Sequence, residues 1–182
     1  MSQEMEGRQP DSLLQDHLGL FTARKPQGPI LDLACGDGHN GLFLASKGLP
    51  VVLADRSDDA LARARALARE AGLEPTFRKV DLEEGEGNPL PQETFGGMLV
   101  FRYLHRPLIP CIGKALQEEG ILLYETYTVD QPRFGKPHNP DFLLKPGELL
   151  RWFEDWDIIH QFEGIKEDPQ RAIAQLVCRK RG

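Results

Sequence analysis

The stretch Ile30-Leu31-Asp32-Leu33-Ala34-Cys35-Gly36-Asp37-Gly38-His39-Asn40-Gly41 decides the fold. Residues 29–34 read as a short apolar strand that runs into a turn with Gly36, Gly38 and Gly41 in G-x-G-x-x-G spacing. Glycine lets the chain turn sharply and lets its backbone approach a ligand with no Cβ in the way. A helix is expected over 40–47, closed by Gly48 just past its end. Its first backbone N–H groups attract a carboxylate or phosphate. Strand, glycine turn and helix make one half of a doubly wound fold, whose ligands sit beyond the carboxyl ends of parallel strands. The glycine spacing alone does not choose the ligand, because dinucleotide-binding oxidoreductases carry it too.

Outward from the turn, short apolar runs alternate with amphipathic stretches, the pattern of an α/β protein. Upstream, a helix is expected from Asp11 and Ser12, with Leu13, Leu14, His17, Leu18 and Phe21 at helical spacing. Downstream, strands are expected over 51–54, 76–80, 95–101 and 121–127. Ser57 caps a helix whose apolar face is Leu61, Ala64, Leu67, Ala68 and Ala71, and Gly72 stops it. Another helix is expected over 107–117. The Pro- and Gly-containing stretch 129–145 reads as a long loop, a frequent place for lids and binding loops. Pro146 suits the first turn of a helix running to 153. Strands over 156–162 and 172–178, joined by 163–171, are close enough for an antiparallel hairpin.

The 182 residues suit one domain; the expectation is a flexible N-terminus over 1–10 and a single domain over 11–182. The net charge of −6 argues against a dedicated nucleic-acid binder without excluding a local basic patch. Cys35, Cys111 and Cys178 are too few and too scattered for a disulfide framework or a metal site, and free thiols fit a cytoplasmic location. No apolar run reaches the roughly 18 residues of a membrane helix, so no membrane partner is expected.

Three carboxylates select the ligand. Asp32 lies inside the first strand, where a pyrophosphate gains nothing from it but an amino group and a sulfonium do. Asp55, ending the second strand, can accept from both hydroxyls of a ribose, a device NAD enzymes share. Asp81, just past the third, can take the N6 protons of adenine. With these residues in place, residues 30–41 resemble the first signature motif of the class I S-adenosylmethionine (SAM)-dependent methyltransferases. The resemblance covers about residues 28–182. It implies a three-layer Rossmann-like α/β fold, with a mostly parallel seven-stranded sheet and an antiparallel C-terminal hairpin strand. It implies SAM as cofactor, with no metal, and a glycine loop of Gly36 and Gly38 around the methionine part. By the same resemblance Asp55 holds the ribose, Asp81 and the backbone of Leu82 meet the adenine, and Arg56 flanks it. Asp32 meets the methionine amino end, directly or through water, and Phe101 joins the cofactor set. Within the family, the short chain and His39-Asn40-Gly41 are similar to the tellurite-resistance methyltransferase B group and its small-molecule methyltransferase relatives.

The methyl acceptor is expected beyond the fourth and fifth strands. Tyr103 and His105 are the catalytic candidates there, with His105 as a base; Arg106 is an anion-binding candidate and Tyr127 a second substrate contact. The Asn/Asp-Pro-Pro-aromatic motif of adenine N6-methyltransferases is absent after the fourth strand. Pro110-Cys111 falls inside an expected helix, a poor place for a nucleophile. A small-molecule acceptor is the leading expectation. The rivals are a methyltransferase acting on RNA or protein, a SAM-binding domain without catalysis of its own, and an NAD(P)-dependent oxidoreductase. The oxidoreductase would require a second nucleotide-binding half and a catalytic set such as Tyr-x-x-x-Lys, which the sequence lacks. The sequence does not set the oligomeric state.

Overall fold

The structure, a computed structural model, describes residues 9–85 and 87–182. The flexible N-terminus expected over 1–10 therefore falls, for residues 1–8, outside the described residues. Seven strands form one sheet: β1 (Ile30–Leu33), β2 (Val51–Asp55), β3 (Thr76–Lys79), β4 (Phe95–Phe101), β5 (Leu116–Tyr127), β6 (Asp157–Lys166) and β7 (Arg171–Arg179). Their order is β3-β2-β1-β4-β5-β7-β6. The first five run parallel, and β7 inserts antiparallel between β5 and β6. The order turns back at β1 and β4, which leaves a crevice above their carboxyl ends.

Helices cover both faces. On one lie α1 (Ser12–Asp16), α2 (Gly19–Thr22), α3 (His39–Ser46) and α4 (Asp58–Glu70). There Leu14, Phe21, Leu42 and Leu61 pack with Leu53, Leu99 and Leu123 of the sheet. On the other lie α5 (Ile109–Ala115) and α6 (Glu148–Trp152), whose Ile112 and Leu149 pack with Met98, Val100 and Leu122. The buried central strands are apolar on both faces, as a sheet covered on both sides demands. Ser57 caps α4 as expected: its Oγ accepts from the Ala60 N–H at 3.2 Å.

Several boundaries differ from the sequence reading. The opening helix is two short helices, broken where His17 leaves helical geometry ahead of Gly19. The helix expected over 107–117 becomes a 3-10 turn, Arg106–Leu108, followed by α5. Residues 116–120 go instead to β5, where Leu116 pairs with Phe95 and is fully buried. Tertiary pairing there overrides local helical preference. The sixth helix starts at Glu148 rather than Pro146, because Gly147 takes a left-handed turn (φ 66°) ahead of it. The closing strands extend to Lys166 and from Arg171, so the expected 163–171 connection shrinks to a turn over 167–170. No helix among the described residues is long and apolar enough to cross a membrane.

Candidate active site

The glycine turn joins β1 to α3. Gly36 has φ 57°, a left-handed conformation that favours glycine, and a Cβ there would project into open space. Gly41 answers a different need. A Cβ on it would stand 2.3 Å from Leu53 Cδ2 and 2.9 Å from Asp32 Oδ2. That close approach lets its N–H donate to Asp32 Oδ2 at 2.8 Å. Asp32 is only 3% exposed. Burial pushes its carboxyl up to about 7, against the Gly41 N–H and His39, which favour the charged form. Asp55 is half-buried: Oδ2 accepts from the Gly36 N–H at 2.8 Å and Oδ1 from the Ser57 N–H at 2.9 Å. One carboxylate thus ties the turn to the start of α4.

A cavity of about 470 Å³ opens along the carboxyl edge of the sheet. That is within the roughly 300–1,000 Å³ usual for small-molecule sites. Asp55, Arg56, Val80, Asp81, Leu82 and Glu83 line one end, past β2 and β3, and Ala34 lies at the end of β1. The other end carries Arg102, Tyr103, Leu104, Thr126 and Tyr127, from the ends of β4 and β5. Lys136, Pro137 and Phe142 of the long loop complete it, with Phe142 49% exposed. Buried Gln131 secures that loop: its Oε1 accepts from the Ala172 N–H at 2.9 Å, and its Nε2 donates to the Lys136 carbonyl at 3.0 Å. Tyr103 donates its hydroxyl to Glu83 Oε1 at 3.3 Å. Burial, and then the Glu83 charge, push that phenol well above its ordinary range, so it is a donor rather than a base.

Arg102 is the main residue that the sequence reading passed over. Its backbone has φ 55°, rare for a residue with a side chain, and its N–H donates to the Glu125 carbonyl at 2.8 Å. Its guanidinium forms a two-pronged ion pair with Asp11, through NH2 to Oδ1 and through NH1 to Oδ2 at 3.1 Å. Asp11 Oδ2 also bonds Asn40 Nδ2 at 2.9 Å and His39 Nε2 at 3.1 Å, and the Asp11 N–H donates to Asn40 Oδ1 at 2.9 Å. Burial alone would push the Asp11 carboxyl up. The hydrogen bonds from His39, Arg102 and Asn40, with the Arg102 charge, outweigh it and hold the carboxyl well below the usual range. Asp11 stands at the N-cap position of α1, yet its side chain caps nothing there. The one visible signal was a basic residue directly after the fourth strand.

Of the cofactor candidates, Asp55, Arg56, Asp81 and Leu82 line the cavity, while Asp32, Gly36 and Gly38 sit in and under the turn beside it. Phe101 does not line it. Its side chain is buried in the core on the α1–α4 side. Tyr103 and Tyr127 line the cavity, whereas His105 and Arg106 do not. His105 heads the 3-10 turn, its carbonyl accepting from the Leu108 N–H at 3.0 Å. Arg106 is engaged elsewhere: Nε and NH2 donate to Glu148 at 2.7 and 2.9 Å, and its terminal nitrogens to the carbonyls of Asp141 and Leu143. Its donors are spent on bracing α6 and the long loop. No group of three or more His, Cys, Asp or Glu among the described residues is placed to hold a metal ion.

Comparison with known proteins adds four matches. Residues 30–120, half of the chain, match the family model described as "Methyltransferase domain". A Haemophilus influenzae protein named "Probable S-adenosyl-L-methionine-dependent methyltransferase TehB" is 25% identical over 147 residues, 76% of this chain and 49% of its own length. The chain thus spans about half the length of the curated relatives it matches. The crystal structure of TehB from H. influenzae superposes with a TM-score of 0.74 at 20% identity, over 92% of this chain and 62% of that one. A SAM-dependent methyltransferase structure from Methanosarcina mazei gives 0.71 at 16% identity, over 96% and 99%. The turn, the sheet order and the family match together place this chain in the class I SAM-dependent methyltransferase family.

Proposed function

We propose that this chain transfers a methyl group from SAM to a small-molecule acceptor in the cytoplasm. The observation that carries the reading is a single cavity with two chemically different ends, one over β2 and β3, the other over β4 and β5. The residues present fit the cofactor. A bare backbone at Gly36 leaves room that a Cβ would fill, and carboxylates stand at Asp55 and Asp81. Asp55 would accept from the ribose hydroxyls through the lone pairs that the Gly36 and Ser57 N–H groups leave free. Asp81 and the Leu82 backbone would meet the adenine, with Arg56 at its side. Asp32 lies beneath the turn, near the amino end, where a bound ammonium would favour its charged form.

When bound, SAM supplies an electrophilic methyl group on a good leaving group. The chain's own work is then positioning, which in favourable cases lowers a barrier by about 7–11 kcal/mol. Tyr103 and Tyr127 stand where they can orient an acceptor, Tyr103 as a hydrogen-bond donor. Leu104, Pro137 and Phe142 give that end an apolar wall. No general base is assigned, since an acceptor that attacks as an anion needs none.

The test is an assay of S-adenosylhomocysteine release with the whole chain, over thiols, metalloid oxyanions, small phenols and tRNA. Turnover with at least one small molecule and none with tRNA is expected. Turnover with tRNA alone would move the reading to a nucleic-acid enzyme. Tight binding of SAM without release on any acceptor would move it to a binding domain.

A further inference from the structure

We propose that Arg102 binds the carboxylate at the methionine end of the cofactor, and that Asp11 is the positioning residue that aims it. The proposal rests on the SAM reading above. A guanidinium has five N–H donors in a planar fork. Asp11 takes one from each terminal nitrogen. Nε and the second hydrogen of each terminal nitrogen have no protein partner among the described residues, and the side chain, 27% exposed, lines the cavity. A second carboxylate can therefore dock on the free edge of the same fork.

Location selects which carboxylate. The Arg102 backbone follows β4, but its guanidinium reaches back to Asp11, which is itself bonded to His39 and Asn40 at the start of α3, so the head of the side chain lies between the β4 end of the cavity and the glycine turn. The other cations along the cavity stand elsewhere: Arg56 follows Asp55, and Lys136 is on the long loop. Charge explains the need for Asp11. An unpaired arginine would repel a sulfonium in the same cavity. Asp11 offsets that charge, with Glu125 nearby, and leaves directional donors behind. The α1 segment that carries Asp11 is fixed by fully buried Leu14, and the Arg102 backbone is pinned to Glu125 in its left-handed conformation. The arrangement is thus built before any ligand arrives.

The test compares SAM with decarboxylated SAM, which differs in the carboxylate alone, by calorimetry on the whole chain. Wild type is expected to prefer SAM by about tenfold or more, and Arg102→Met to lose that preference by weakening SAM alone, with the decarboxylated form within about twofold. Asp11→Asn is expected to reduce the preference by about threefold or more, again through SAM alone. Equal loss on both ligands, or an unchanged preference, overturns the proposal. Should Arg102→Met fail to fold, Arg102→Lys decides: it keeps the charge but not the fork, and retention of the full preference overturns the proposal. If wild type binds neither ligand, the SAM reading itself falls. If it binds SAM and the variants bind equally well, only the role of Arg102 falls.

Discussion

Two carboxylates of the turn make different demands on the molecule. Asp55 holds the turn and faces the cavity, so Asp55→Ala is expected to weaken S-adenosylhomocysteine binding by at least about tenfold, near 1.4 kcal/mol, while the fold survives. Calorimetry beside a thermal melt checks this, and unchanged affinity would put the ribose elsewhere. Asp32 is a matter of pH. Burial raises its carboxyl from 3.8 to about 7, so the folded state holds that proton more tightly than the unfolded chain. Its contribution to stability is complete below about pH 4 and is lost as pH climbs through about 7. Asp32→Asn, neutral throughout, should therefore show a smaller drop in melting temperature between pH 5 and pH 8 than wild type; an equal drop would rule this out. The placement of Asp32, Asp55 and Asp81 was legible because each lies in or just past one of three successive strands, which local patterning reveals. The pairing of Asp11 with Arg102 was not, since 91 positions separate them and no periodicity links them.

Strands were easier to read than helix ends. Buried strands announce themselves as apolar runs, and residues 95–101 were bounded correctly. The helix expected over 107–117 was overextended because the choice at Leu116 is made by Phe95, on another strand. The same blindness affected Arg106, read as an anion binder because its partner Glu148 lies 42 positions away. The Arg106–Glu148 pair joins the 3-10 turn after β4 to α6, with two carbonyls of the long loop bonded as well. Arg106→Ala should cost about 1–2 kcal/mol, discounted because the arginine is a third exposed, and lower the melting temperature by roughly 3–6 °C. S-adenosylhomocysteine affinity should hold. A variant that melts like wild type yet binds an acceptor poorly would restore the anion-binding role.

At the scale of the whole sheet, the hairpin that closes the chain is central rather than peripheral. β7 lies between β5 and β6, and its residues 172–178 are all buried. The segment matched by the family model ends at residue 120, within β5. A fragment of residues 1–120 should therefore fail to fold, lacking most of β5 and all of β7. Circular dichroism and amide exchange would show this, and a cooperative melt of the fragment would contradict it. The hairpin was legible from two strands with a short link; that β7 slots in before β6 followed only from the family resemblance. One feature of the cavity reaches past this single chain. Lys136, Pro137 and Phe142 line it yet belong to neither hydrophobic cluster. Substitutions there leave the core packing intact, so over generations that wall can be rewritten while the scaffold beneath it is inherited unchanged.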